Sequence, residues 1–456
     1  MYTEDTIAAI STPVGEGGIG IIRVSGPASG AIARRIVRHA MNGDLESHRF
    51  CYGSVIDPST GDTVDEVMVV LMRAPRSFTR EDVLEIQCHG GYLVTRRVLD
   101  AVLACGVRLA EPGEFTLRAF LNGRIDLVQA EAVIDVIRSK TEAALSLAQH
   151  QREGRLSERL GTVRDGLRHA LALVEAFIDF PEDDVDPAAQ AEIEAKSRQA
   201  LGLIRELLSG FDEGRVLREG VSVLIAGKPN VGKSSLLNTL LQEKRSIVTS
   251  VPGTTRDIIE EVVNVKGLPL RMLDTAGIRE TEDIVEREGV RLTLEKIPQA
   301  DLVLFVLDGG RPFDDDDRML LDALEGKRFI VVVNKSDLVL HLELPASLAG
   351  VTQVAISTAT GEGIVDLREA VFQAFIHGVA IDSREYVALS QSRHWDALAK
   401  AQECIQTFLA NLAASQTLEL LAVDLKDALH AVGEVTGETT PDDVLDLIFQ
   451  RFCIGK

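Results

Sequence analysis

The stretch VSVLIAGKPNVGKSSLLNTLL, residues 221–241, decides the fold. Its apolar opening, VSVLIA, reads as a buried strand. The residues that follow, Gly227-Lys228-Pro229-Asn230-Val231-Gly232-Lys233-Ser234, form a complete G-x-x-x-x-G-K-S, and Ser234-Ser235 leads into the helix SSLLNTLL. Strand, glycine-rich turn and helix in that order are the context a phosphate loop requires. Glycines let backbone N–H groups turn inward around phosphates, and the helix N-terminus adds positive potential. Lys233 would reach the β- and γ-phosphates, while the Ser234 hydroxyl would hold Mg²⁺.

Working outward, the segment from 216 to 378 alternates strand and helix patterns. Its strand candidates are VSVLIA, DIIEEVVNV, LPLRMLD, DLVLFVLD, RFIVVVN and TQVAIS. That alternation predicts a mainly parallel, doubly wound sheet. The short Lys266–Gly267 turn predicts one antiparallel hairpin at its edge. Asp274-Thr275-Ala276-Gly277 closes LPLRMLD, where a carboxylate can hold Mg²⁺ through water and the Gly277 amide can face a γ-phosphate. Asn334-Lys335-Ser336-Asp337 closes RFIVVVN. Guanine offers N1–H and an amino group on one edge, and one carboxylate, Asp337, accepts both. Adenine would leave that carboxylate unpaired, at several kcal/mol. Asn334 would tie the loops together and the Lys335 stem would cover the base. Ser357-Thr358-Ala359 would offer a backbone N–H to the guanine carbonyl. The nucleotide is therefore GTP rather than ATP.

Between these motifs lies Thr249-Ser250-Val251-Pro252-Gly253-Thr254-Thr255, a switch-like loop whose Thr255 would complete the Mg²⁺ shell. Ile278 follows Gly277 and cannot orient water. The acidic residues Glu280, Glu282, Asp283, Glu286 and Glu288 are the pool from which a water-orienting group would come.

The flanks have a different texture. Residues 1–122 mix strand-like runs (IGIIRVSG, VDEVMVVLM, DVLEIQCHGG) with a helical stretch near 92–105, which predicts a small α+β domain. Gly15–Gly20 satisfies G-x-G-x-x-G, but a strand-like run follows it where a dinucleotide site needs a helix. Residues 123–215 and 379–456 carry helical periodicity. The simplest reading is a Ras-like P-loop GTPase domain at 216–378, inserted into one all-α domain and preceded by the α+β domain. The chain ends on Cys453-Ile454-Gly455-Lys456 after the apolar run VLDLIFQRF, a helix with a short flexible tail that would carry a thiol and an ammonium into a cleft.

Composition narrows the classes. The 456 residues exceed one core. A net charge of −22 argues against broad nucleic-acid binding by this chain alone, so a partner would supply most of the basic surface. No apolar run approaches the roughly 18 residues a membrane span needs. Five cysteines without metal-ligand spacing, and an acidic N-terminus without a secretory signal, fit a reduced cytoplasmic protein.

Several long blocks together resemble one family, the tRNA-modifying GTPases of the MnmE (TrmE) type. They are TIAAISTPVGEGGIGIIRVSGP, SFTREDVLEIQCHGG, PGEFTLRAFLNGRIDLVQAEAV, GKPNVGKSSLLN, PGTTRD, DTAGIRE and FCIGK. The similarity runs over essentially the whole chain, in the same block order. Val14 and Glu16 stand where that family usually carries Pro and Arg, and Thr358-Ala359 replaces Ala followed by a basic residue. The resemblance implies a homodimer that modifies wobble uridines of tRNA with the flavoprotein MnmG (GidA) in a heterotetramer. It implies a potassium-stimulated GTPase and an N-terminal domain that binds 5-formyl-tetrahydrofolate or a related tetrahydrofolate. Carried onto matching positions, Arg23, Glu85, Arg124 and Lys456 would contact the folate. Asn230, Thr249, Val251 and Thr254 would hold K⁺, Glu286 would position the hydrolytic water, and Cys453 would sit at the modification centre. The alternative is a regulatory GTPase that controls assembly of a ribosomal or signalling partner.

Overall fold

Two strand patterns in the sequence produce two different sheets. Where helices cover both faces, strands are apolar throughout; where one face stays open, they alternate. The computed structural model describes residues 5–13, 15–39, 45–179, 187–242, 261–273, 294–376 and 387–456. Contacts divide these into two bodies, one of residues up to Ile134 with Leu429–Lys456, the other of residues within Asp135–Ala428.

The N-terminal body holds strands β1 (Ile7–Ile10), β2 (Gly17–Ser25), β3 (Val37–His39), β4 (Cys51–Ile56), β5 (Thr63–Met72), β6 (Val83–Gly90) and β7 (Arg108–Leu109). They form one sheet in the order β3-β4-β5-β6-β2-β1-β7, antiparallel except for the β1–β7 pair. The glycine-rich run thus leads into β2, a strand. Ile22 and Val24 of β2 and Leu84 and Ile86 of β6 point to one face. There they pack with Ile32 and Ile36 of α1 (Ser29–Ile36) and Val98 and Val102 of α2 (Tyr92–Leu103). Period-2 geometry therefore sends Arg23 and Glu85 to the opposite face. The register sets them side by side in a row, Ala9↔Arg23↔Glu85↔Val70, across four strands. On that face α3 (Glu114–Leu121) contributes Phe115 to a cluster with Ile7, Ala9, Ala110 and Phe78.

In the central body α4 (Leu127–Arg138, shared with the first body), α5 (Glu142–Arg152), α6 (Arg155–Asp179), α7 (Pro187–Ser209) and α8 (Phe211–Glu219) precede β8 (Val221–Ala226). After it come α9 (Lys233–Gln242), β9 (Glu261–Val265), β10 (Leu268–Met272), β11 (Leu302–Asp308), α10 (Asp315–Asp322), β12 (Phe329–Asn334), β13 (Gln353–Ala355) and α11 (Ile364–Gln373). The sheet order is β13-β12-β11-β8-β10-β9, parallel except for the β9–β10 hairpin at its edge. Lys266 and Gly267 turn that hairpin with φ of 52° and 92°, the two positive values a type I′ turn needs. β8 and β11 are buried along their whole length, as central strands covered on both faces must be.

Chain entry to and exit from the sheet are locked together. A Cβ on Gly214 of α8 would collide with the carbonyl oxygen of Leu389. Gln151 of α5 donates from Nε2 to the Ala388 carbonyl (3.0 Å) and to Ser390 Oγ (3.2 Å). Beyond this, α12 (Ser392–Ala413) packs on α7, and α13 (Leu418–Thr436) and α14 (Asp442–Phe449) complete the helices. None of the described helices is long and apolar enough to cross a membrane.

Two glycines separate packing from propensity. Gly214→Ala should destabilise the chain by about 1–3 kcal/mol through overpacking. Gly202→Ala, in α7 with open space around it, should stabilise it by about 0.5–1 kcal/mol. Thermal unfolding midpoints of the two variants moving in opposite directions is the expected outcome.

Candidate functional site

Parallel pairing carries the ends of β8, β11, β12 and β13 to one edge of the sheet, so the loops after them converge. The first is Gly227–Gly232. Val231 is buried in the sheet core and anchors it. Asn230, exposed at its crest, has φ of 64°, in the left-handed region that Asn tolerates better than most residues. Lys233 opens α9 and donates from Nζ to the carbonyls of Gly227 and Lys228, both at 2.8 Å. Burial pushes its ammonium down to about 8. Ser234 and Ser235 are exposed in the first helical turn, where backbone N–H groups have no helical acceptor.

Asn334 is 0% exposed at the end of β12. Its Nδ2 donates to the Val231 carbonyl (2.8 Å) and its Oδ1 accepts from the Thr358 N–H (3.1 Å). One amide thus joins the phosphate loop, its own loop and Ser357-Thr358-Ala359. A Cβ at position 232 would collide with that amide, so Gly232 is dictated by Asn334. Lys335 (φ 65°) pairs from Nζ with Asp308 Oδ2 at 2.6 Å. Burial pushes the Asp308 carboxyl up, but Lys335 and the Gly310 N–H outweigh it and hold it below the usual carboxylate value. The Ser336 N–H donates to the Ile356 carbonyl (3.0 Å), which leaves Asp337 exposed at the rim. Ser357 is buried, its Oγ accepting from the Thr360 N–H at 3.2 Å. Thr249–Thr255, Asp274–Gly277 and Glu286, with the acidic residues around it, lie outside the described residues. Among the described residues no group of three His, Cys, Asp or Glu side chains is placed to hold a metal ion.

A second constellation sits on the face of the seven-stranded sheet opposite α1 and α2. Arg23 and Glu85 pair at 2.8 Å. The guanidinium of Arg23 lies 5.8 Å from the Phe115 ring and that of Arg124 5.7 Å from the Phe78 ring, two rings of the same apolar cluster. Arg124 Nη1 also donates to the Ser77 carbonyl. The expected flexible tail is instead pinned. Phe452 is buried with Leu445 and Phe449, Ile454 bridges to Pro112, and Gly455 packs against Ile10 and Ser11. The Gly455 carbonyl accepts from Arg23 Nη1 and from Ser11 Oγ, both at 3.2 Å. Cys453 is exposed beside this contact and Lys456 is half-buried, so Arg23, Glu85 and the tail share one place. All five cysteines are free.

Sequence reasoning missed Phe78 and Phe115, and also Arg118, which is 1% exposed behind them. Arg118 donates to Asp5 (2.6 Å), Glu114 (3.0 Å) and Glu81 (3.2 Å), fixing α3 against the sheet. Burial pushes the carboxyls of Asp5 and Glu114 up, but hydrogen bonds from Arg108 and Arg118 outweigh it and leave both below their ordinary values. An arginine inside a run of apolar residues signals such a network only once its three carboxylates are known to meet.

A lysine held near 8 is partly neutral at mildly alkaline pH, whereas phosphate beside it favours the charged form. Binding of GDP at pH 8.5 should therefore take up as much as about one proton per site, and the uptake should vanish below about pH 7, where Lys233 is already charged. Calorimetry in buffers of different ionisation enthalpy measures this; a buffer-independent heat at pH 8.5 contradicts it.

Comparison with known proteins gives the family. The family described as "GTP-binding protein TrmE N-terminus" matches residues 6–124, and the one described as "MnmE helical domain" matches residues 127–453. The tRNA modification GTPase MnmE of Geobacter metallireducens is 81% identical over 457 residues, covering 100% of both chains. The proteins of that name from Geobacter sulfurreducens and Geobacillus kaustophilus are 72% and 48% identical, again over 100% of both chains. With full-length similarity at this level, the chain belongs to the MnmE (TrmE) family.

Proposed function

We propose that the chain binds GTP on the loops gathered by Asn334, hydrolyses it, and couples the turnover to modification of wobble uridine in tRNA. The observation that carries the first half is the buried Asn334 amide, which holds the phosphate loop and the two base-side loops at fixed separation. The second half rests on full-length relatives named tRNA modification GTPase. The domain assignment is residues 1–122 for folate binding and dimerisation, 123–215 with 379–456 for the helical domain, and 216–378 for the G domain.

At the nucleotide, Asp337 accepts guanine N1–H and its amino group, a Thr358 or Ala359 N–H faces the guanine carbonyl, and Lys233 turns from its two carbonyls to the phosphates. Hard cations want oxygen ligands. The hydroxyl of Ser234 and the amide oxygen of Asn230, both at the mouth of the loop, fit Mg²⁺ and K⁺ respectively, with Thr255 added for Mg²⁺ and Thr249, Val251 and Thr254 for K⁺. Two cations offset the charge that develops on the phosphates, and Glu286 orients water.

In the N-terminal body the donor set fits a reduced folate. Glu85, with Arg23 paired to it, suits its pterin edge, Arg124 its anionic glutamate tail, and the half-buried Phe78 its ring face. A tetrahydrofolate there supplies a one-carbon unit for 5-carboxymethylaminomethyl or aminomethyl uridine. Cys453 and Lys456, held beside Arg23 by the pinned tail, present a thiol and an ammonium to that chemistry. The working assembly is a homodimer with two copies of MnmG (GidA), cytoplasmic, with MnmG bringing much of the basic surface that tRNA requires. Five free thiols and a net charge of −22 favour this arrangement.

Asp337→Asn should weaken GTP at least about 100-fold and favour xanthosine nucleotides, whose ring carries a carbonyl in place of the amino group. Unchanged GTP affinity in a nucleotide titration would sink the assignment. Cys453→Ser should abolish uridine modification and leave GTP hydrolysis near wild type, read by nucleoside mass analysis beside phosphate release. Normal modification in the variant removes Cys453 from the chemistry, and wobble uridine that is still fully modified in a deletion strain favours a purely regulatory GTPase.

A further inference from the structure

The loop after β11 touches the nucleotide loops at both of its ends. At its start Asp308 holds Lys335 of the base loop. At its finish Lys228, on the phosphate loop, donates from Nζ to Asp314 Oδ2 (2.6 Å) and lies 2.8 Å from Asp317 Oδ2. The two acceptors are themselves locked by a capping box at the start of α10. Asp314 Oδ1 accepts from the Asp316 and Asp317 N–H groups, and Asp317 Oδ2 accepts from the Asp314 N–H. Asp317 is 2% exposed, so its carboxylate has no water shell to fall back on if Lys228 leaves. The Lys228 carbonyl is one of the two that hold Lys233. Its side chain therefore fixes the same stretch of backbone from which the phosphate-binding lysine is presented.

We propose that the segment Asp308–Asp317 is a strap that sets how long a guanine nucleotide stays bound, with Lys228 and Asp317 as positioning residues. The inference rests on the nucleotide assignment above. Phosphates leave only when the loop around them loosens, and the strap opposes that by tying the loop to α10 at one end and to the base loop at the other. Among the described residues Asp314 and Asp317 are tied to the phosphate loop through Lys228, so the effect falls on release rather than on the chemical step.

The test is stopped-flow release of a fluorescent GDP from the full chain in Mg²⁺ and K⁺, beside steady-state turnover. Lys228→Met and Asp317→Asn should each speed release about tenfold, as loss of one charged hydrogen bond predicts. Because both break the same tie, K228M/D317N should exceed the faster single variant by less than about threefold. Lys228→Arg should return release to within about threefold of wild type, which a purely structural defect at this position would not allow. For Asp317→Asn, KM for GTP should rise while kcat stays within about twofold. If Asp317→Asn does not fold, Asp314→Asn removes the exposed half of the tie and should speed release about threefold. Single variants within twofold of wild type, or a double variant whose effects multiply, overturn the strap. A wild-type chain that binds no fluorescent GDP overturns the nucleotide assignment itself.

Discussion

A single side-chain amide organises the nucleotide edge of this protein. Asn334 offers an NH2 that donates and a carbonyl oxygen that accepts, in fixed geometry, and it is fully buried, so both groups need partners within the fold. Among the described residues its partners are the Val231 carbonyl and the Thr358 N–H, on loops 103 and 24 residues away in sequence. Aspartate would lose the donor and strand the Val231 carbonyl at about 1–3 kcal/mol, and leucine would also release the part-buried Thr358 N–H. The same packing excludes any side chain at position 232. Two motifs that read as separate signatures, the glycine-rich loop and Asn334-Lys335-Ser336-Asp337, are thus one steric and hydrogen-bonding unit.

The N-terminal body relies on register instead. Alternation decides which face Arg23 occupies; antiparallel pairing then places Glu85 beside it, and α3 brings Phe115 beneath its guanidinium. A shift of one residue would bury Arg23 among the valines of the helix-covered face and put Ile22 in its place. The buried network around Arg118 opposes such a shift by holding Asp5, Glu81 and Glu114 together from three separate stretches of chain.

Much of this was legible beforehand, and the exceptions share a cause. The strands VSVLIA, DLVLFVLD and RFIVVVN announce themselves by unbroken apolar runs, the edge hairpin by Lys266–Gly267, and α2 by its periodicity. The short strands β3 and β7 carry too few residues for a period to register, β4 (CYGSVI) lacks an unbroken apolar run, and all three exist because neighbours offer them hydrogen bonds. The tail looked free because nothing local distinguishes a frayed end from one whose Gly455 fits against Ile10. Phe78 and Phe115 gave no signal as a pair, since their meeting depends on the sheet already being folded. Local chemistry could be read along the chain; long-range pairing could not.

That long-range pairing also bears on how the protein is made. The contact between Ser11 and Gly455 joins positions 444 residues apart. A nascent chain can lay down β1 and β2 early, yet the carbonyl that meets Arg23 does not exist until synthesis has passed through the helices and the nucleotide domain. The face carrying Arg23 and Glu85 therefore waits, incomplete, throughout elongation. A truncated or stalled product would carry its phosphate loop and its sheet but never the assembled corner where the Gly455 carbonyl meets the Arg23 guanidinium.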